Sequence, residues 1–115
     1  MTQRMREPTY FLLTALLDEP LHGYAIISRA AELSGGRVRL ATGTLYAALD
    51  RLTDEGLVEV VRTEIVNGRA RRYYALTADG STALRAEAET MAEAARLVID
   101  RGAHLRSPGL AGGAA

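Results

Sequence analysis

Apolar residues recur along this chain at helical spacing in four stretches. Phe11, Leu12, Ala15 and Leu16 follow Pro8, whose missing N–H costs nothing in a first helical turn, and Pro20 stops the run. Beyond that proline, Tyr24, Ile27 and Ala31, with a neighbouring ridge of Ile26, Ala30 and Leu33, predict a second helix ending at Gly35-Gly36, a pair suited to a left-handed cap. Leu45, Leu49 and Leu52 form the single stripe of a short third helix starting near Gly43, and Gly56-Leu57 fits a Schellman-type ending with its hydrophobic contact. Leu84, Ala88, Met91, Ala95 and Val98 then recur at spacings of 4, 3, 4 and 3 on a fourth helix that Thr77 can N-cap, and such a seam asks for a partner helix.

Two stretches break the helical period. Arg37, Val38, Arg39 and Leu40 alternate polar and apolar, which predicts a brief half-buried strand. Residues 58–65 and 71–76 are rich in β-branched and aromatic side chains, and Asn67-Gly68 between them is a strong hairpin signal. Two helices, a brief strand, a third helix and a hairpin make the order of a winged helix-turn-helix, whose third helix enters the major groove of DNA. The predicted fold class is therefore mainly α with a small β-hairpin. Residues 1–76 form the winged helix-turn-helix and 77–101 a C-terminal dimerisation helix; residues 102–115, rich in Gly, Ala, Ser and Pro, are expected to be a disordered tail.

Length and composition narrow the class. With 115 residues and 48% hydrophobic content, the chain has material for one modest core. It lacks cysteine, which removes disulfides, thiolate metal sites and a cysteine nucleophile. No uninterrupted apolar run follows the N-terminal arginines, so no signal peptide is expected, and nowhere do about 18–20 apolar residues run together to span a membrane. A soluble, cytoplasmic protein is the expectation.

Formal net charge is zero, but its distribution is uneven. All 14 basic residues are arginine. Arg69, Arg71 and Arg72 cluster at the hairpin tip with no acid among them, whereas Asp79, Glu87, Glu89, Glu93 and Asp100 make the fourth helix acidic. The tip residues Asn67, Gly68, Arg69, Arg71, Arg72 and Tyr73 suit a wing lying along a phosphate backbone, although charge on an edge strand also keeps it from aggregating. On the third helix, Thr42, Gly43, Thr44, Ala47 and Ala48 point outward, small enough to let DNA approach, and no acid blocks the first turn. Threonine in this position equally serves as a helix cap. Tyr46 fits either core packing or a phosphate contact, and Arg51 either a phosphate or guanine contact or pairing with Asp54 or Glu55. His22 suits a cap or surface position better than a ligand or a base. No catalytic set, metal cluster or cofactor motif is evident, so an enzyme is not expected.

His22-Gly23-Tyr24, Gly43-Thr44-Leu45-Tyr46, Leu49, Leu52, Gly56-Leu57, Arg71-Arg72-Tyr73-Tyr74 and Leu76-Thr77, in this order, resemble the PadR family of bacterial transcriptional regulators from about Leu12 to Leu84. The resemblance implies a homodimeric winged-helix protein, usually a repressor, bound to a double-stranded DNA operator and released by a small-molecule effector. Two features depart from the family pattern. Ala41-Thr42 stand where many members have Ser-Pro, and the chain has no tryptophan on which to stack flat aromatic ligands. Two other functions fit the same residues: a winged-helix module that binds protein, and a small-molecule sensor with little DNA affinity.

Overall fold

The computed structural model describes residues 4–113, with side chains for residues 4–102. Helix α1 (Glu7–Ala15), strand β1 (Leu21–His22), helices α2 (Gly23–Leu33) and α3 (Thr42–Asp54), the hairpin of β2 (Val58–Val66) and β3 (Arg69–Leu76), and helix α4 (Ala78–Gly113) follow in order. Four helices and a small antiparallel sheet are the fold class that the hydrophobic pattern predicts.

The apolar stripes converge. Leu12 and Leu13 of α1, Ile26 of α2, Leu45, Leu49 and Leu52 of α3 and Val58 of β2 are each less than 2% exposed. Burying such a side chain stabilises by about 1.5–3 kcal/mol, so this shared core holds α3 in place more than the helix propensity of its Thr- and Gly-containing first turn. Both predicted glycine endings are present. Gly36, at φ 87°, donates to Ala31 O at 2.8 Å, and at Gly56, φ 77°, the chain turns so that Leu57 N–H reaches Leu52 O at 2.9 Å.

The sheet differs from the two-stranded hairpin expected. It has three strands in the order β1-β3-β2, because Leu21 and His22 pair with Tyr74 and Tyr73. Residues 37–40 are not a strand. Their alternation is real, with Val38 and Leu40 buried and Arg37 and Arg39 exposed, but the free edge of β3 is taken by β1. The segment is held instead by the Ser34 hydroxyl, which accepts Val38 N–H at 2.9 Å, and by Arg37, which donates to Glu7 at 2.7 Å and lies over the Phe11 ring. Asn67 and Gly68 both take positive φ, 54° and 76°, as a type I′ hairpin turn requires. A bulge at Val61 shifts the register between Val60 and Arg62 and adds local twist to the wing.

Thr77 caps α4 as expected, its hydroxyl accepting Gly80 N–H at 2.9 Å. The helix runs on to Gly113, beyond the expected end at Arg101, and 114–115 lie outside the described residues. The chain divides into two units after Leu84, later than the expected boundary at 76/77. Leu84 explains the shift, since it is 4% exposed and belongs to the winged-helix core. In the second unit, Ala88 and Met91 are half-buried while Ala95, Leu97, Val98 and Ile99 are exposed.

Candidate nucleic-acid interface

Helix α3 opens on Ala41, whose φ of −74° and ψ of 151° are those of an N-cap, and no side chain bonds to the first turn. This corrects the capping role open to Thr42 and Thr44. Alanine cannot cap, and both threonines lie inside the helix with exposed side chains. The first-turn N–H groups and two hydroxyls thus face solvent with no acid beside them, a ready arrangement for an anion. Gly43 and Ala47 are exposed on the same helix and leave its surface low.

A cleft of about 860 Å³ separates the start of α2 and Tyr46 of α3 from the wing. His22, Gly23, Tyr24 and Tyr46 line one side, and Val66, Asn67, Arg69, Ala70, Arg71, Arg72 and Tyr74 the other. Tyr46 is packed on one side and open on the other. Its hydroxyl packs directly on Gly23, where an added Cβ would also come within 2.9 Å of Tyr46 Cζ, yet the ring is 44% exposed. Tyr24, 76% exposed, is a cleft residue that reasoning from the sequence did not single out for DNA. Its place in the His22-Gly23-Tyr24 motif, beside a glycine packed under Tyr46 and Leu45, is the available signal.

Register sorts the wing residues by face, since cross-strand partners share one. Tyr74, Arg72 and Ala70 stand on the core side with Val60, Thr63 and Ile65. Arg69, Arg71 and Tyr73 stand on the other side with Val66, Glu64 and Arg62. The twist added at the bulge lets Gly68-flanking residues of both faces border the cleft, but Tyr73 does not reach it. Tyr73 is instead packed edge-to-face on His22, centroids 5.5 Å apart, with the Arg62 guanidinium 3.9 Å above its ring. Arg71 has Glu64 opposite, and Glu64 also pairs with Arg62 at 3.2 Å. Arg51 is engaged too: it donates to Thr9 Oγ1 at 3.2 Å and pairs with Glu55 at 3.7 Å. Of its two expected roles, the i,i+4 ion pair is the one present.

Burial holds the His22 imidazole below its ordinary pKa, aided by Arg71 and opposed by Glu64. The neutral ring is thus favoured in the folded state. As pH falls through about 6.5, the unfolded chain takes up this proton first, so the contribution of His22 to stability is complete above that pH and lost below it. Melting temperature measured from pH 7.5 to 5 is expected to fall less steeply in His22→Gln than in the parent, and equal slopes would contradict the assignment.

The profile of the transcriptional regulator PadR-like family matches residues 12–86. This chain belongs to the PadR-like family of transcriptional regulators. The PadR-like chain is 37% identical over 92 residues to the transcriptional regulator Rv3488 of Mycobacterium tuberculosis, covering 80% of this chain and 82% of that protein. It is 38% identical over 97 residues to a 37.1 kDa protein of transposon TN4556 from Streptomyces fradiae, covering 84% of this chain but only 26% of the transposon protein. Among solved structures, Bacillus subtilis PadR in complex with operator DNA is similar with a TM-score of 0.59 and 32% identity, over 66% of this chain and 44% of that one. A PadR-like transcription factor from Bacteroides fragilis gives 0.66 and 30%, over 79% and 85%. The chain therefore spans about a quarter of the transposon protein and less than half of the Bacillus PadR. Among the described residues no helix is long and apolar enough to cross a membrane.

Proposed function

We propose that this PadR-like regulator acts in the cytoplasm as a homodimeric repressor. It places α3 in the major groove of a double-stranded operator, seats the flanking phosphates between the α3 start and the wing, and pairs with a second copy through α4. The observation that carries the reading is the cleft itself. It brings three arginines opposite two exposed tyrosines, one of which, Tyr46, stands on α3. That arrangement suits a polyanion with a groove, and the Bacillus relative was solved with operator DNA.

Ala88, Met91, Ala95 and Val98 of the expected seam, with exposed Leu97 and Ile99 beside them, support pairing through α4; Leu84 is already used in the protomer core. Release of the operator by a small molecule is the remaining part of the proposal. Salt titration of binding to duplex DNA tests the reading. Counterion release makes log K fall linearly with log salt concentration, with a slope of about −0.9 for each phosphate neutralised. Absent or salt-independent binding would contradict it.

A further inference from the structure

Gly23, the first residue of α2, has a backbone that does not ask for glycine. Gly35, Gly36, Gly56 and Gly68 take positive φ, whereas Gly23 does not. Alanine there is conformationally allowed and is the better helix former. What stands against it is the beginning of α3. A Cβ at this position would overlap the Tyr46 hydroxyl, lie 2.9 Å from Tyr46 Cζ and sit 3.2 Å from Leu45 Cδ2. The missing side chain is thus a seat for the tip of the Tyr46 ring, which reaches from α3 to the start of α2. Among the described residues no hydrogen bond holds the Tyr46 hydroxyl, and the exposed ring lines the cleft together with the wing arginines. Packing alone fixes this hydroxyl, so its proton stays available to a group outside the protein.

We infer that Gly23 is a positioning residue for DNA: by leaving room for the Tyr46 ring against α2, it presents the Tyr46 hydroxyl as a preset donor to a backbone phosphate in the cleft. The inference deepens the DNA-binding reading above and rests on it. The surroundings of the hydroxyl select phosphate, because Arg69, Arg71 and Arg72 line the same cleft and draw a polyanion into it. A hydroxyl already held in place gives up little freedom when it donates, whereas an unseated tyrosine tip has to be ordered first. Alanine at position 23 removes the seat without breaking the core. The atoms it meets first are the far end of an exposed ring that can swing into the cleft, and Leu45 has to yield by only a few tenths of an ångström.

The test is a double-substitution cycle of Gly23→Ala and Tyr46→Phe, read by binding to a mixed-sequence DNA duplex at several salt concentrations and by melting temperature. Phosphate contacts carry no sequence information, so the operator need not be known. Tyr46→Phe removes the donor and is expected to lower affinity about tenfold. Gly23→Ala is expected to lower it by a similar factor, with a melting temperature within about 4 °C of the parent. Because both changes act on one hydroxyl, the double variant should bind within about twofold of Tyr46→Phe, where independent effects would multiply to about a hundredfold. The salt slope should remain that of the parent in all three variants, since a neutral hydroxyl releases no counterion. Multiplying losses, parental affinity in Gly23→Ala, or a flattened slope, which would move the effect to the wing arginines, overturns the inference. A Gly23→Ala chain that does not fold overturns it too, because the ring would then be structural support and not a movable donor. Tyr46→Phe supplies a check independent of that outcome, since parental affinity in this variant leaves Gly23 no donor to position. A parent without salt-dependent binding to duplex DNA overturns the DNA-binding reading, and the inference with it.

Discussion

Replacing Arg69, Arg71 and Arg72 together by alanine is expected to weaken binding to duplex DNA by about two orders of magnitude near physiological salt and to flatten the salt slope by roughly 2–3 units. Each cation removed leaves one phosphate with its counterions, which is why slope and affinity fall together. The three arginines should not contribute equally. Arg72 stands on the Tyr74 face of β3, with Thr63 opposite, and lines the cleft. Arg69 lies next to the turn with Val66 opposite, and no acid pairs with either across the ladder. Arg71 faces Glu64, which already shares its charge with Arg62, so part of the Arg71 field is spent within the wing. Single substitutions measured at several salt concentrations are therefore expected to rank Arg72 and Arg69 above Arg71. Unchanged slope in the triple variant would mean that the wing does not touch phosphate.

Leu49→Ala is expected to cost about 2–5 kcal/mol of stability, because Leu49 is fully buried at the centre of the α3 stripe and the close-packed core around it can collapse only partly. For a winged helix of this size that corresponds to a melting temperature lower by about 10–25 °C, read by calorimetry or circular dichroism. A small effect of Leu49→Ala would show that the recognition helix is not held by this core. Its DNA affinity at 25 °C should fall only as far as the folded fraction falls, since Leu49 is turned away from the exposed face of α3.

The contrast between these residues shows what the sequence makes legible. Leu45, Leu49 and Leu52 announce a helix and its buried face because the period is local and complete within eight residues. Asn67-Gly68 announces the hairpin because few residue pairs accept two positive φ values in succession. Strand β1 is silent by comparison: two residues carry no period, and their partners, Tyr73 and Tyr74, lie some fifty positions away. Residues 37–40 carry the converse lesson, that alternation reports burial and not pairing. With the β3 edge occupied by β1, buried Val38 and Leu40 need no strand.

The candidate site follows the same division. A cluster of arginines at a hairpin tip is visible in the sequence, as are small outward groups at the start of α3. Which face each wing residue occupies is not visible, because it depends on long-range register and on the bulge at Val61. Tyr73 was thus expected beside the arginines and lies instead between His22 and Arg62. The sequence leaves Arg51 open between DNA and a helical ion pair; the fold adds a neighbour it does not show, Thr9, beside the i+4 partner Glu55. Thr77 was legible as a cap, but its bond to Gly56, 21 positions earlier, needs the folded joint.

Selection of bound duplexes from random-sequence DNA by the purified protein tests the central claim most directly. Twofold pairing through α4 with α3 in the groove predicts enrichment of an inverted repeat whose half-sites lie one or more whole helical turns apart, about 34–36 Å for a single turn. Failure to enrich any sequence, or enrichment of a lone asymmetric site with no repeat, would contradict the account.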